Sequence, residues 1–153
     1  MLKNIDVVCV TLCSPILIGI YEDQKLIETI STQERSSEAL PKIFKEILQT
    51  YNVKSFFYAK GPGSFMAIKI TYIFLKSLSI MKKIPLFATD AFYFNNNQPI
   101  KAIGKLYFVK ISSEIETQKL EKVPNNSFEL MDVLEYDEFD EDTTPLYAIG
   151  AVG

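Results

Sequence analysis

Residues 56–65 read Phe-Phe-Tyr-Ala-Lys-Gly-Pro-Gly-Ser-Phe, the stretch of this chain nearest to a ligand-binding motif. An apolar aromatic run stops at Gly61, Pro62, Gly63 and Ser64. A long apolar periodicity starts again at Phe65. That pattern is a strand, a tight glycine turn and a helix N-terminus. Such a turn can cradle an anion with backbone N–H groups at the positive end of a helix. Here Pro62 has no N–H to give, and the Gly-Lys-Ser/Thr ending of a P-loop is absent. GxGxxG is not matched either. Glycines taking unusual dihedrals in a structural turn are the simpler reading.

Other chemistries are removed by composition. The 153 residues include no histidine, which excludes a Ser-His-Asp or Cys-His nucleophile system and any histidine-ligated metal. Cys9 and Cys13, the only cysteines, lie four apart in an apolar run with no CxxC. They read as small buried hydrophobes of a reducing, cytoplasmic compartment. Asp6 and Asp90 are single acids and read as turn or cap residues. The dense carboxylates come after Lys122, the last basic residue: Glu129, Asp132, Glu135, Asp137, Glu138, Asp140, Glu141 and Asp142. Residues 123–153 thus carry −8 of a total of −3, leaving +5 on residues 1–122. A solvated acidic surface is the plain reading, and a docking strip for a basic partner the sharper one. Neither gives the strong basic excess of a protein that holds nucleic acid alone. The apolar stretch 7–21 is broken by Ser14-Pro15 and has no cleavage site, so neither a leader nor a membrane span is expected.

The elements that must position the turn are legible from patterning. Residues 5–13, 16–22 and 26–32 read as three strands of an antiparallel meander, the last two joined by the polar turn 22–25. Ser36 and Ser37 are candidate caps of a helix over 36–51, with Leu40, Ile43, Phe44, Ile47, Leu48 and Tyr51 in one stripe. A strand over 53–59 enters the glycine turn. The helix over 65–83 is apolar nearly all round. Ala67, Ile70, Phe74, Leu78 and Met81 share one face, while Lys69, Lys76 and Lys83 make a thin opposite seam. Ile68, Tyr72, Ile73 and Ile80 are the shoulders of that seam. Such a helix needs covering on more than one side, by its own chain or by a partner. A strand over 85–89 comes next, then a short helix capped by Asp90 and a boundary loop at 95–99. The first lobe, 1–96, therefore runs β-β-β-α-β-α-β. The second, 97–153, is a hairpin of strands 105–115 and 116–123, the acidic segment, and a final strand 146–149.

This order resembles the bacterial TsaB (YeaZ) family. The family signature GPGSFTGxR corresponds to Gly61-Pro62-Gly63-Ser64-Phe65-Met66-Ala67-Ile68-Lys69, with Met, Ala and Lys in place of Thr, Gly and Arg. Ser37-Glu38-Ala39-Leu40-Pro41 resembles HSExLLP, with Ser36 where His is common. Tyr147-Ala148-Ile149-Gly150 resembles a closing family strand. The resemblance implies an α/β, actin-like ATPase (ribonuclease H-like) fold with a shortened second lobe.

It further implies a catalytically degenerate scaffold, not an enzyme in itself. Its partners would be TsaD and the ATPase TsaE, in the complex that installs threonylcarbamoyl on adenosine 37 of transfer RNA (t6A). The scaffold would hold no cofactor of its own. ATP and metal would sit on the partner subunits, and transfer RNA would be met only through the complex. Contact with TsaD would run through the two first-lobe helices, so the expected interface is Ile68, Lys69, Tyr72, Ile73, Lys76 and Ile80. Self-association through the same surface is expected in isolation. Where the family has an acid at the end of strand one, this chain has Val10 and Thr11. The competing expectation is a small actin-fold kinase or ATPase using the turn 61–64, which needs an acid near that strand. Proteolysis is argued against by the absence of histidine.

Overall fold

In the first strands, apolar residues run on without alternation because both faces of the sheet are buried. The computed structural model of the chain describes residues 1–122 and 127–146. β1 (Asn4–Val10) buries every residue after Asn4. Ile5, Val7 and Cys9 pack in one apolar layer, Val8 and Val10 in the other. β2 (Ile16–Glu22) and β3 (Lys25–Thr32) continue the antiparallel meander. β4 (Asn52–Ala59) lies parallel to β1 on its other side, and β5 (Leu86–Thr89) lies parallel to β4. The five-stranded order is β3-β2-β1-β4-β5. This is a mixed α/β lobe with the predicted element order.

Two helices make the parallel crossovers. α1 (Ser36–Thr50) links β3 to β4, and α2 (Phe65–Lys82) links β4 to β5. Leu40, Phe44 and Ile47 of α1 meet Leu75 of α2 over Phe56 and Tyr58 of β4. Phe44 binds the helices together, edge-on to Phe74 with ring centroids 5.4 Å apart. No helix among the described residues is long and apolar enough to cross a membrane.

The opposite face of the sheet is covered by the chain beyond β5. A 3-10 turn, Ala91–Phe94, starts as expected at Asp90, whose carboxylate accepts the Phe92 N–H at 3.0 Å. β6 (Ile100–Lys101), β7 (Leu106–Ile111) and β8 (Glu114–Lys119) form a separate antiparallel sheet. Its hairpin turns at Ser112 and Ser113, both at positive φ (49° and 71°), not near 115–116 as the pattern suggested. Two serines lack the Asn-Gly signature of such a turn, and β6 is too short to show a period. The predicted strand 146–149 lies outside the described residues beyond Leu146.

The acidic segment then runs back across the five-stranded sheet as a strap. Leu26 N–H donates to Asp132 O and Leu134 N–H to Gln24 O at the β3 end. Ala88 and Asp140 exchange both backbone bonds at the β5 edge. Leu134 and Phe139 point inward, and Phe139 meets Phe57 edge-on at 4.9 Å. All eight acids of the strap are exposed. The bonds that fasten it to the sheet edges come from the backbone; of its carboxylates, Glu135 accepts the Tyr93 hydroxyl at 2.8 Å and Asp142 the Thr144 N–H at 3.2 Å.

Asp6 of β1 is an acid in the opposite situation. It is 7% exposed on the strap side, accepting the Tyr136 hydroxyl at 2.6 Å. Burial raises its carboxyl above the ordinary 3.8, against the opposing hydrogen bond from Tyr136 and the Lys54 ammonium. A carboxyl held higher in the fold than in the unfolded chain takes up a proton on folding. Its contribution therefore favours the fold in acid and is lost as pH rises from the ordinary carboxylate value through the raised one. Asp6→Asn keeps an acceptor for Tyr136 and removes that titration. Denaturant melts should show the variant gaining stability relative to wild type between about pH 3 and pH 7. A difference that does not change with pH contradicts this account of Asp6.

Candidate functional site

The glycine turn is a junction whose polar groups are largely taken. Gly61 O accepts the Ala91 N–H at 2.7 Å, and Ser64 N–H donates to Leu12 O at 3.3 Å. Gly61 sits at φ +118°, and a Cβ there would lie 2.8 Å from Leu146 O. A Cβ on Gly63 would lie 3.0 Å from Leu12 Cβ. Both glycines thus allow close approach of neighbouring chain, as a structural turn requires. The same turn aims α2 along the sheet and starts it beside the end of β1.

α2 divides its surface differently from the helical wheel. The buried positions are Ile68, Thr71 and Leu75, with Tyr72, Phe74 and Leu78 partly covered. Thr71 and Thr11 share a hydroxyl hydrogen bond of 2.6 Å, so a polar position lies at the centre of the buried face. A wheel scored on hydrophobicity cannot find that face. Met81, which the wheel sets on one face with Ala67, Ile70, Phe74 and Leu78, is 70% exposed.

The predicted interface residues separate into two groups. Ile68 is 1% exposed, packed inside, and is not on the surface. Tyr72 is half-buried and stacks on Tyr58 at 6.2 Å. Lys69, Ile73, Lys76 and Ile80 are exposed together. Ile73 and Ile80 are open to 53% and 69%, and Met66, missed by the sequence reading, to 58%. Met66, Ile73 and Ile80 are seven residues apart, so they form nearly one line on the helix. Neither Lys69 nor Lys76 has an ion-pair partner among the described residues.

At its start this strip opens into a groove of about 480 Å³ between the N-termini of α1 and α2. Leu12, Ile16, Met66, Ala67 and Ile70 give it apolar walls, and Arg35, Ser36, Ser37 and Ser64 give it polar groups. The expectation that Ser36 and Ser37 cap α1 is not met. Arg35 is the N-cap residue and makes no side-chain cap bond, and Ser64 makes none at α2. The serines are one residue too far into the helix to reach back. First-turn N–H groups of Ser36, Ser37, Met66 and Ala67 accordingly have no partner among the described residues. Glu34 also lines the groove, but its carboxylate is paired with Lys42 at 2.7 Å. Burial pushes the thiol of Cys13, on the groove wall, above its ordinary value. Thr11 stands where a kinase reading needs an acid, its hydroxyl engaged by Thr71.

Gly61→Ala should cost about 1–3 kcal/mol of unfolding free energy, since the residue must hold a left-handed dihedral against a backbone oxygen. Urea melts of the two proteins measure it. A loss below about 0.5 kcal/mol would mean the turn relaxes freely.

No protein-family profile matches the sequence, and no curated protein is detectably similar to it in sequence. Solved structures are similar in shape. YeaZ from Pseudomonas aeruginosa superimposes with a TM-score of 0.55 at 11% identity, covering 80% of this chain and 67% of that one. An uncharacterized protein described as similar to the peptidase YeaZ from Pseudomonas aeruginosa gives 0.58 at 12%, covering 79% and 69%. Over about four fifths of its length, this chain has a YeaZ-like fold.

Proposed function

We propose that the chain is a non-catalytic scaffold subunit of the t6A threonylcarbamoyl-transfer complex, docking a TsaD-type partner through α2. The observation that carries this reading is the exposed line of Met66, Ile73 and Ile80 beside Lys69 and Lys76, which have no ion pair among the described residues. A soluble surface gains nothing from three large apolar side chains in register along one helix, and a covering partner does. The YeaZ-like fold and the Gly61–Ser64 signature supply the family in which the partner is sought. On this reading the fold is of the actin-like class, with ATP and metal on TsaD and TsaE. Transfer RNA is met through the assembled complex in the cytoplasm, and two copies pair through α2 when TsaD is absent.

Ile73→Asp and Ile80→Asp test it without touching the core. Each should weaken capture of TsaD about 30-fold or more, as for a central apolar contact. Melting should stay within about 0.5 kcal/mol of wild type, since both side chains are outside. Lys69→Glu with Lys76→Glu should slow association and flatten its salt dependence. Isothermal titration against purified TsaD measures the first effect, and stopped-flow the second. Undiminished affinity in both aspartate variants would exclude this face.

A further inference from the structure

Asn95 stands in the wall of a cleft of about 310 Å³, between the loop after the 3-10 turn and the start of the strap. It is 4% exposed, and its Oδ1 is the one buried side-chain polar atom without a hydrogen-bond partner among the described residues. The loop fixes which way the amide is turned. Asn95 Nδ2 donates to Gln98 O at 3.0 Å, and Asn95 O accepts the Gln98 N–H at 3.2 Å. Turning the amide over would set its oxygen against the Gln98 carbonyl, so the orphan is an acceptor and not a donor. Glu129 N–H donates to Phe94 O at 2.8 Å and joins the two walls of the cleft. Buried acceptors are ordinarily satisfied, so an orphan in such a wall calls for a donor from outside.

The rest of the lining selects the donor. Asn96, Gln98, Ser127 and Glu129 add side-chain oxygens, and no Lys or Arg stands among the described residues around the cleft. The Glu129 carboxylate takes part in no ion pair among the described residues. Phe94 and Met131 give the cleft an apolar wall. A cleft with one negative charge and many acceptors repels anions and favours a cation that carries N–H groups. A single water would satisfy Asn95 Oδ1, but it needs only about 10–15 Å³, a small part of this space. We infer that the cleft is a site for a primary ammonium on an alkyl chain. The ammonium donates to Asn95 Oδ1 and pairs with Glu129, and the chain lies against Met131 and Phe94. One orphan oxygen suits a point-like ammonium rather than the planar fork of a guanidinium. Such a group is the end of a lysine side chain on another protein, or a free aliphatic amine. The cleft shares no residue with the α2 strip, so the inference does not depend on the scaffold reading.

The test uses the full chain, isotope-labelled for NMR, at constant ionic strength. n-Butylammonium chloride should shift the side-chain amide resonances of Asn95 saturably, with a dissociation constant in the millimolar range expected of so small a ligand. Tetramethylammonium, which has the charge but no N–H, should bind at least about tenfold more weakly. Glu129→Gln should weaken n-butylammonium about fivefold or more and leave urea melts unchanged, since that side chain is exposed. Asn95→Ala should abolish binding. Should that variant fail to fold, the wild-type resonances and Glu129→Gln still decide. Nα-acetyl-lysine methylamide separates the two sources. Affinity equal to that of n-butylammonium or better assigns the cleft to a lysine of another protein, and loss of binding assigns it to a free amine. Asn95 resonances that stay still at tens of millimolar n-butylammonium, or that move equally with tetramethylammonium, overturn the inference and leave the cleft to water. Equal affinity of wild type and Glu129→Gln overturns it as well.

Discussion

A sheet that is oily on both sides must be covered on both sides, and this requirement organises the whole chain. β1 and β4 bury alternate residues into opposite apolar layers. Leaving either layer wet would forfeit roughly 1.5–3 kcal/mol for each large side chain exposed. The crossover helices can cover only one side. The other side is covered by the turn at Ala91–Phe94, by the small sheet, and by the strap carrying Leu134 and Phe139. The strap therefore belongs to the core architecture despite its composition. Tyr58 on the helix face and Lys60 beyond the end of β4 reach its carbonyls at Thr143 and Asp142, so it is fastened beyond the hydrophobic contacts.

Most of the first lobe was legible because local signals there agree with tertiary demand. Continuous Val and Ile runs, a clean stripe on α1 and a glycine break before Phe65 each point to one element. The failures come where a tertiary partner outvoted the local pattern. α2 shows no single polar face, so its rotation about its axis was set by the Thr11–Thr71 bond and by the sheet, neither visible in a helical wheel. That is why Ile68 went inside and Met81 outside. The second hairpin turned on two serines in left-handed geometry, a conformation their type does not announce. The strap looked like solvent-exposed chain because its apolar residues are sparse and its bonds are made by backbone. Of the candidate site, the strip Lys69, Ile73, Lys76 and Ile80 was readable from heptad spacing. The groove was not, since it is formed by two helix starts 29 positions apart along the chain.

Charge is layered in the same sense as packing. The eight strap acids are all exposed on one side of the sheet. The seam of Lys69 and Lys76 lies on the helix side, with Arg35 and the positive helix ends near its start. The molecule thus shows opposite signs across its sheet. On the proposed scaffold reading, an acidic partner surface would be drawn toward α2 and repelled from the strap, so the wrong docking face would be disfavoured before contact. Long-range steering of this kind fades beyond about 8–10 Å at physiological ionic strength. Orientation is therefore set early and affinity late. On that reading the late step would fall to the apolar line of Met66, Ile73 and Ile80, whose burial by a partner would not depend on salt. A surface divided this way needs little net charge to be selective, so a net charge of only −3 is compatible with the directional contact proposed above.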